Sequence, residues 1–461
     1  MSRVLVLAYF FPPLGGAGVQ RSAKFVKYLP ALGYDPIVIT GPAAVGGPFS
    51  PADPTLMGDV PSGTRVERIR VPEPEAGGRW RSRAERWLGA PRPFSRWWVE
   101  QAVATGLQAG REVDLIYASM SPFESGTAAA RLARSLGKPW IADLRDPWAL
   151  DEVVVYPTAA HRRLALARMR RTLASAAAVV MNTFEAAAIA RELPELRSTP
   201  VVTIPNGFDE DDFAGAPPDR GDSAFRIVHA GFAHTEPVAG RASKALRGAV
   251  PGYDLMTRSH VNLLSAVDAL LETRPELQGT IEVHLAGFIS DEERERIRSS
   301  RVHVHGYLNH GETIALLRSG DLLFLPMHDL PPGRRARTVP GKTYEYLASG
   351  RPILAAVPDG DARDLLGRAG TAFLCRPSDV DAMARIIGEQ VDRERRGEPV
   401  PPLDASLLAS YERQSLTQQL ALVFDNVLER SSVVTERPRL DSAERNGKAI
   451  RAASSSGLGG M

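Results

Sequence analysis

Cysteine is nearly absent from the 461-residue sequence, which contains only Cys375. A disulfide framework or a cysteine-based metal cluster needs several thiols, so both are excluded, and we expect Cys375 to be a buried structural thiol. Long apolar runs are also lacking, because no segment approaches the ~18 residues of a membrane span. The N-terminus "MSRVLVLAYFFPP" enters a strand without a signal-peptide pattern. The sequence therefore predicts a cytoplasmic protein.

Lysine is scarce as well, with six residues against fifty arginines. The net charge of +2 provides no general attraction to nucleic acid, so no nucleic-acid partner is expected. The excess of arginine is typical of GC-rich codon usage, and arginine content alone does not indicate phosphate binding. A lysine at an unusual position is therefore more informative than an arginine.

Short apolar runs alternate with helical stretches through the first half of the sequence, among them "RVLVLAYF", "DPIVIT", "VDLIYAS" and "PWIADL". Such a pattern indicates a parallel sheet covered on both faces. It restarts at "FRIVHAGF" after a Gly-, Pro- and Asp-rich linker, and the chain length also favours two domains. We therefore predict an α/β chain with domains over 1–208 and 224–403, a linker over 209–223, a helix over 404–430 and a disordered tail over 431–461.

The segment from Arg79 to Trp98 fits neither sheet, and it holds four of the six tryptophans among six arginines. This mixture suits a peripheral contact with the inner face of a membrane, or an aromatic substrate cleft. The alternative is a long excursion whose tryptophans pack onto the domain while the arginines face water. The sequence leaves both interpretations open.

Three glycines, Gly15, Gly16 and Gly18, occupy the first strand-to-helix turn, "FFPPLGGAGVQR". Glycines there allow close approach of a ligand, and the free N–H groups of a helix start bind anions such as phosphate. The third glycine of a dinucleotide pattern is replaced by Arg21, and the second strand ends without an acidic residue, which disfavours NAD. A purely structural turn is the alternative to an anion site.

The stretch "VPGKTYEYLASGRPIL" predicts a short helix, since Pro340 suits its first position and Gly350 the residue just past its end. Lys342 then lies in the first turn, where the helix dipole disfavours a cation unless an anion is bound. Glu345 lies on the same face. A carboxylate can accept hydrogen bonds from both ribose hydroxyls while an ammonium neutralises a diphosphate, so this pair predicts a nucleotide site. An ordinary i,i+3 ion pair is the alternative.

The order of motifs, from "PPLGGAG" through "DLRDPW" and "IPNGFD" to "HGYL" and "PGKTYEYLASGRPI", resembles the nucleotide-sugar-dependent glycosyltransferases of family 4. The resemblance covers roughly residues 3–430. It implies the GT-B fold, in which two Rossmann-like domains face each other and a final helix crosses back to the first. It also implies an acceptor in the first domain, a donor in the second, retention of anomeric configuration, and no metal or other cofactor.

The resemblance assigns Glu345 to the second glutamate of the family's E-x7-E motif, the one that holds the ribose hydroxyls. Arg337 stands in the place of the first glutamate. This departure resembles a subgroup in which "P-x-K-x-x-E" replaces the full motif. The nucleobase site of the family falls on Tyr307 and Leu308, largely through backbone groups.

The family places a basic pair beside the diphosphate, which implies Lys342 together with Arg258, with Arg241 and Lys244 as alternatives. Cleavage of a sugar–diphosphate bond creates negative charge on the departing phosphate. Cations and helix-start N–H groups aimed at that phosphate stabilise this charge, so Lys342, Arg258 and the glycine turn are the expected catalytic groups.

On the acceptor side, Ser119 and Ser121 of "YASMSP" stand where many relatives carry a histidine. Asp143, Arg145 and Asp146 of "DLRDPW" follow a strand at its carboxyl end, where α/β folds bind their ligands. The resemblance implies that the phosphate oxygen takes the acceptor proton, so Asp146 orients the acceptor. A structural ion pair between Arg145 and an aspartate is the alternative.

Two other functions compete with glycosyl transfer. A nucleotide-sugar epimerase shares the GT-B fold, although the separate "DLRDPW" cluster argues for an acceptor. A catalytically silent partner protein is the second rival, because the first glutamate is missing. The donor base, the sugar and the acceptor, whether small molecule, glycan or lipid-linked, are left open by the sequence.

Overall fold

The computed structural model describes residues 1–43, 51–74, 93–154, 156, 158–221, 223–232, 255–297 and 299–436. All named strands within these ranges belong to two parallel sheets, one in each half of the chain. The predicted α/β class with two Rossmann-like domains is confirmed. Arg241 and Lys244, the alternative diphosphate ligands, lie outside the described residues.

The first sheet has seven strands in the order β3-β2-β1-β4-β5-β6-β7. Their bounds are Ser2–Leu7 (β1), Tyr34–Thr40 (β2), Arg65–Arg68 (β3), Leu115–Ser119 (β4), Trp140–Leu144 (β5), Ala178–Met181 (β6) and Val201–Thr203 (β7). The order reverses direction between β1 and β4, which creates the crevice where doubly wound sheets bind ligands. Strand β3 has no counterpart among the predicted strands.

The second sheet has six strands in the order β10-β9-β8-β11-β12-β13. Their bounds are Phe225–Ala230 (β8), Ile281–Ala286 (β9), Val302–Gly306 (β10), Leu322–Pro326 (β11), Ile353–Ala356 (β12) and Ala372–Cys375 (β13). Its switch point lies between β8 and β11. The two sheets therefore share one topology, and each offers one ligand crevice at its carboxyl edge.

Helices cover both faces of each sheet. Their bounds are Ala17–Tyr28 (α1), Pro93–Ala109 (α2), Glu124–Leu136 (α3), Ala159–Leu173 (α4), Phe184–Arg191 (α5), Val261–Thr273 (α6), Asp291–Arg294 (α7), His310–Arg318 (α8), Lys342–Ala348 (α9), Asp361–Ala369 (α10), Val380–Arg395 (α11), Ala405–Ala409 (α12) and Arg413–Glu436 (α13). Two buried apolar clusters lie on the two sides of each sheet. Cys375 is buried in one of them, as expected, and burial raises the pKa of its thiol to about 12.

The C-terminal helix α13 packs on the first domain. Its side chains Leu416, Leu420 and Phe424 are fully buried in the same apolar cluster as strand β1. The predicted single helix over 404–430 is instead two helices, α12 and α13, separated by a short break. Helix α13 also continues to Glu436, so the first six residues of the predicted disordered tail are helical; residues 437–461 lie outside the described part.

The chain passes between the two domains twice, once in the linker and once before α13. The two passages are hydrogen-bonded to each other. The backbone N–H of Phe208 donates to the carbonyl of Tyr411 at 3.1 Å, and the N–H of Arg413 donates to the carbonyl of Phe208 at 2.8 Å. The domains are thus connected through one compact junction.

The Arg- and Trp-rich segment is described only from Pro93 onward. There it begins α2, and both Trp97 and Trp98 are buried in the core of the first domain, where the indole N–H of Trp98 donates to Ser125 Oγ at 3.0 Å. These two tryptophans therefore do not face a membrane. Within the described residues, no helix combines the length and the apolar character that a membrane crossing requires.

Candidate active site

Lys342 lies at the carboxyl edge of the second sheet, at its switch point. Its Nζ is 3.3 Å from Nε2 of His229, which belongs to β8. Nδ1 of His229 lies 2.9 Å from the carbonyl oxygen of Phe324, and a carbonyl can only accept, so Nδ1 carries the hydrogen. Nε2 is then an acceptor, and the Lys342 ammonium donates to it. The sequence did not indicate a role for His229, because a single histidine within a predicted strand has no distinguishing pattern.

Gly231 gives Lys342 the space it occupies. A Cβ built on Gly231 would come within 2.5 Å of Lys342 Nζ, and the φ angle of Gly231 is +123°, in the region that favours glycine. Strand β8 therefore ends in a turn that only glycine can make around the lysine. Helix α9 ends as predicted, with Gly350 at φ +68° just past its last turn.

Burial, together with the nearby Arg258 guanidinium, lowers the pKa of Lys342 to about 7, while the Glu345 carboxylate opposes the shift. A bound anion raises this pKa again, so the anion and the charged form of Lys342 stabilise each other. Arg258 ends a single 3-10 turn, Leu255–Arg258, and acts on the same group. The structure thus brings the predicted basic pair together.

Glu345 lies one turn after Lys342. Burial raises the pKa of its carboxyl, and the charges of His310, Arg413 and Lys342 oppose that rise. His310 is the first residue of α8, and its Nε2 lies 2.9 Å from Asp212 Oδ2. Burial lowers the pKa of His310, but the contact with Asp212 and the charge of Glu345 together outweigh burial, so the pKa is raised. The Lys342–Glu345 pair is therefore enclosed by charged groups from the linker, α8 and α13.

The glycine turn of the first domain faces the loop that follows β10. A Cβ on Gly15 would lie 2.3 Å from the Tyr307 hydroxyl, so glycine permits this contact between the domains. Asp53, beside the turn, accepts from the backbone N–H of His310 at 2.9 Å. Burial and the Asp53 carboxylate raise the pKa of Tyr307 to about 12. Leu308, the other predicted nucleobase contact, accepts from the Thr313 hydroxyl through its carbonyl at 3.4 Å.

Arg145 covers the helix start that follows the glycine turn. A Cβ on Gly18 would lie 1.8 Å from Arg145 Nη1, and the φ angle of Gly16 is +92°. The Nε and Nη1 atoms of Arg145 are buried without hydrogen-bond partners in the described residues. Its closest carboxylate is the exposed Asp146, at 3.4 Å from Nε. Two sources of positive charge, a guanidinium and a helix start, thus meet at the first switch point.

Asp143 lies inside the first domain rather than in the crevice. Its carboxylate is fully buried, and it accepts from Arg21 Nε and Nη2 at 2.7 Å each and from the Tyr117 hydroxyl. Arg21 also donates to the carbonyl of Ile204 at 2.9 Å. Asp143 is therefore paired with Arg21, whereas the aspartate that pairs with Arg145, as the structural alternative expects, is Asp146. We do not retain Asp143 as an acceptor contact.

The two predicted serines differ in position. Ser119 is buried at the end of β4, whereas Ser121 is half-buried in the loop beyond it. Nearby, the rings of Phe123 and Trp148 are stacked, with centroids 4.8 Å apart. Trp148 has a φ of +53°, which is uncommon for a non-glycine residue and marks functional loops. Ser121 and this aromatic pair thus lie in the loops that follow the carboxyl ends of β4 and β5.

Arg337, in the place of the missing glutamate, contacts the first domain. Its Nη1 donates to the carbonyl of Leu150 at 2.8 Å, and its N–H donates to Glu152 at 3.0 Å. Its carbonyl accepts from the Thr183 hydroxyl at 2.8 Å. Arg337 thus joins the two walls of the crevice.

Asp151, which the sequence did not single out, lies just before Glu152 in the loop after β5. Burial and the Glu152 charge raise its pKa to about 7, while Arg258 of the second domain opposes the shift. The Asp151 carboxyl therefore interacts electrostatically across the crevice with Arg258, one of the predicted diphosphate ligands. Only the folded geometry places it there.

The linker aspartates Asp209 and Asp212 are held by lysine. Lys24 Nζ, 1% exposed, lies 2.8 Å from Asp209 and 2.9 Å from Asp212 and Asp59. Lys27 contacts Asp209 at 2.8 Å as well. The ammonium groups lower the pKa of Asp209 to about 2 against the effect of burial. Two of the six lysines thus serve to fix the linker to α1.

Structures with this fold include HepE from Anabaena in complex with UDP and glucose, which is 16% identical with a TM-score of 0.57; the match covers 92% of this chain and 100% of that one. Sucrose-phosphate synthase from Thermosynechococcus elongatus is 13% identical with a TM-score of 0.61, over 93% and 100% of the chains. A protein from Listeria monocytogenes assigned as a UDP-N-acetylglucosamine 2-epimerase is 11% identical with a TM-score of 0.52, over 93% and 97%. Among curated proteins, no sequence matches the chain significantly.

Two facing Rossmann-like domains, charged side chains at both switch points and a C-terminal helix returning to the first domain define a GT-B glycosyltransferase. Family models agree over both halves: residues 15–207 match the glycosyl transferase 4-like domain, and residues 256–392 match the glycosyl transferases group 1. The chain belongs to this family of glycosyltransferases.

Proposed function

We propose that this enzyme transfers a sugar from a nucleoside-diphosphate donor to an acceptor nucleophile, without a metal and with retention at the anomeric carbon. The observation that carries the proposal is the Lys342 ammonium, which is fixed by His229 beneath Gly231 at a switch point. Its contact is a neutral imidazole rather than a carboxylate. This leaves its charge available for the phosphates of a donor.

The donor fits across the crevice. The diphosphate contacts Lys342 and Arg258, and the ribose hydroxyls donate to Glu345, as a carboxylate one helical turn from the ammonium allows. The base lies toward Tyr307 and Leu308. HepE, with which this chain shares its fold, has been crystallised with UDP and glucose and with UDP-glucose, which supports a donor of this class.

The reaction then follows from where charge develops. As the sugar–phosphate bond breaks, negative charge grows on the leaving phosphate, and Lys342, Arg258 and the N–H groups of the glycine turn stabilise it. The acceptor attacks from the same face, and the leaving phosphate oxygen takes its proton. Asp146 and Ser121 orient the acceptor, and no carboxylate base is needed.

A panel of nucleoside diphosphates tested by thermal shift checks the donor site. At least one member is expected to raise the unfolding temperature of the wild type, and Glu345→Ala is expected to weaken its binding about 10- to 100-fold, because hydrogen bonds to a charged group are lost. Glu389→Ala, at an exposed position of α11, serves as the matched control. If no nucleoside diphosphate stabilises the wild type, the proposed donor class is wrong.

Binding of a nucleoside diphosphate should weaken as the pH rises. The pKa of Lys342 is about 7 without ligand, and a bound diphosphate raises it, so binding takes up a proton above pH 7. Because the terminal phosphate, with a pKa near 6, is already ionised there, the affinity should fall by up to about tenfold per unit from pH 7 to 9. Calorimetry in buffers of different ionisation enthalpy measures this uptake. A pH profile that is the same in Lys342→Met would contradict the assignment.

Two assays on the wild-type protein distinguish sugar transfer from the two rival functions. Product analysis by NMR gives the anomeric configuration, and an assay with chelator present tests metal independence. Formation of an epimer from the donor, with no transfer to any acceptor, would favour the epimerase. Nucleotide binding without either product would favour the silent partner.

A further inference from the structure

A histidine cluster lies on the edge of the second sheet, on the strands β9 and β10. Glu282 and His284 alternate on β9, and His303 and His305 alternate on β10, where His303 is in register with His284. Because side chains at i and i+2 share a face of a strand, Glu282, His284 and His303 project from one face. His305 lies at an irregularity of the ladder between Val304 and Gly306, and its side chain contacts His284. The imidazole rings stack, with centroids 4.7 Å apart for His284 and His303 and 5.2 Å apart for His284 and His305.

Three ligand atoms of this cluster converge. His284 Nε2 lies 3.2 Å from Glu282 Oε2, and His303 Nε2 lies 3.7 Å from Glu282 Oε1. The three ligand atoms all lie within 4.8 Å of one another. Nitrogen and oxygen ligands about 2.0–2.1 Å from a tetrahedral zinc ion are themselves about 3.3 Å apart. The two contacts of Glu282, at 3.2 and 3.7 Å, are near this spacing, and the three ligand atoms have to close from at most 4.8 Å to bind one ion.

His305 sets the orientation of the ligand at the centre. His284 Nδ1 lies 3.0 Å from His305 Nε2. When His284 Nε2 gives its lone pair to a metal, Nδ1 carries the hydrogen and donates to His305. An outer hydrogen bond of this kind is what fixes a metal-binding imidazole in proteins. The cluster therefore contains both the ligands and the group that positions one of them.

We propose that Glu282, His284 and His303 bind one divalent transition-metal ion of the zinc class. Imidazole and carboxylate ligands together select such ions over Mg²⁺ and Ca²⁺, which prefer oxygen alone. His284 is buried and His303 is exposed, so water completes the coordination from the solvent side. Arg226, whose Nε lies 4.0 Å from Glu282 Oε2, balances the carboxylate when the ion is absent.

The ion would act as a structural connection rather than in sugar transfer. It joins edge strand β10 to β9 at His303, three residues before Gly306 and the turn that leads to Tyr307. A metal bound in the folded chain stabilises it by mass action. The proposal does not depend on the donor assignment, because it concerns other side chains, on β9 and β10, and a different ligand.

The test uses the full-length chain, free of any histidine tag and dialysed against chelator. Calorimetry with Zn²⁺ is expected to give one ion per chain, and Co²⁺ is expected to give the visible absorption of a four-coordinate site. His303→Ala and Glu282→Gln should each abolish both signals, whereas His305→Ala should weaken binding by about 10- to 100-fold. His161→Ala, in α4, is the matched control and should bind as the wild type does.

Either of two results would contradict the proposed metal site. One is that the wild type does not bind Zn²⁺ stoichiometrically, and the other is that both His303→Ala and Glu282→Gln bind it unchanged. Circular dichroism of the metal-free variants checks that they are folded. Glu282→Gln keeps the side-chain shape, so it remains informative if His303→Ala is unstable. The nucleotide panel on the same wild-type sample reports the donor site independently.

Discussion

Replacing Lys342 with methionine is expected to lower kcat for sugar transfer about 10²- to 10³-fold, the usual cost of losing one preorganised group at a developing negative charge. The unliganded variant should nevertheless be at least as stable as the wild type. The pKa of Lys342 falls from 10.5 in an unfolded chain to about 7 in the folded one. The folded protein therefore binds this proton less tightly than the unfolded chain does, and the charged lysine lowers the stability at pH 7. Steady-state kinetics and thermal unfolding measure the two effects.

Lys138→Met is the matched control, because Lys138 lies in the first domain away from both switch points. It should leave kcat unchanged. A Lys342→Met enzyme that retains most of its kcat would remove Lys342 from the mechanism. A fall in both kcat and stability would instead indicate that the lysine supports the fold.

Replacing Arg21 with methionine should lower the free energy of unfolding by about 3–5 kcal/mol, because the Asp143 carboxylate would be left buried without its cation. Both side chains are almost completely buried, and two N–H groups of Arg21 contact the carboxylate at 2.7 Å. The variant also loses a hydrogen bond to the carbonyl of Ile204. Denaturant titration followed by circular dichroism measures the change.

The double variant Arg21→Met/Asp143→Asn tests the cause of this loss. Replacing the unpaired Asp143 carboxylate by an amide should raise the free energy of unfolding by more than about 1 kcal/mol relative to Arg21→Met, because a neutral amide costs less to bury than a charge. Arg131→Met, on an exposed turn of α3, should stay within about 0.5 kcal/mol of wild type. A double variant less stable than Arg21→Met would show that the ion pair is not the main contribution.

Much of the fold could be predicted from local pattern. Buried parallel strands are apolar along their whole length, so β1, β4, β5 and β8 are recognisable in the sequence. Strand β3, "RVER", is an edge strand of four residues, three of them charged and none of them buried, and its pattern resembles a loop. The short break before α13 was also missed, because the apolar spacing continues through it.

Local spacing alone could assign only those site residues that are close in sequence, whereas Arg258 and Tyr307 were assigned through the family resemblance. Lys342 and Glu345 share one helix, so their spacing predicted either a nucleotide site or an ordinary ion pair, and the family resemblance favoured the nucleotide. His229, Asp151 and Arg413 reach the same region from distant parts of the chain. Arg21 could be seen to occupy a glycine position, but its partner lies 122 residues away, and only the folded sheet brings them together.

The junction where Phe208 is hydrogen-bonded to the chain before α13 has a mechanical consequence. Two covalent crossings that touch at one place act as a single hinge, so the second domain can turn relative to the first but cannot slide away from it. Lys24 attaches Asp209 and Asp212 to α1, so this part of the linker turns with the first domain. Opening the crevice must then break the contact between Asp212 and His310, while the lysine contacts stay intact. Arg318 and Arg220 hold the linker from Ala214 onward on the second domain, so a bend of the linker falls between Asp212 and Ala214.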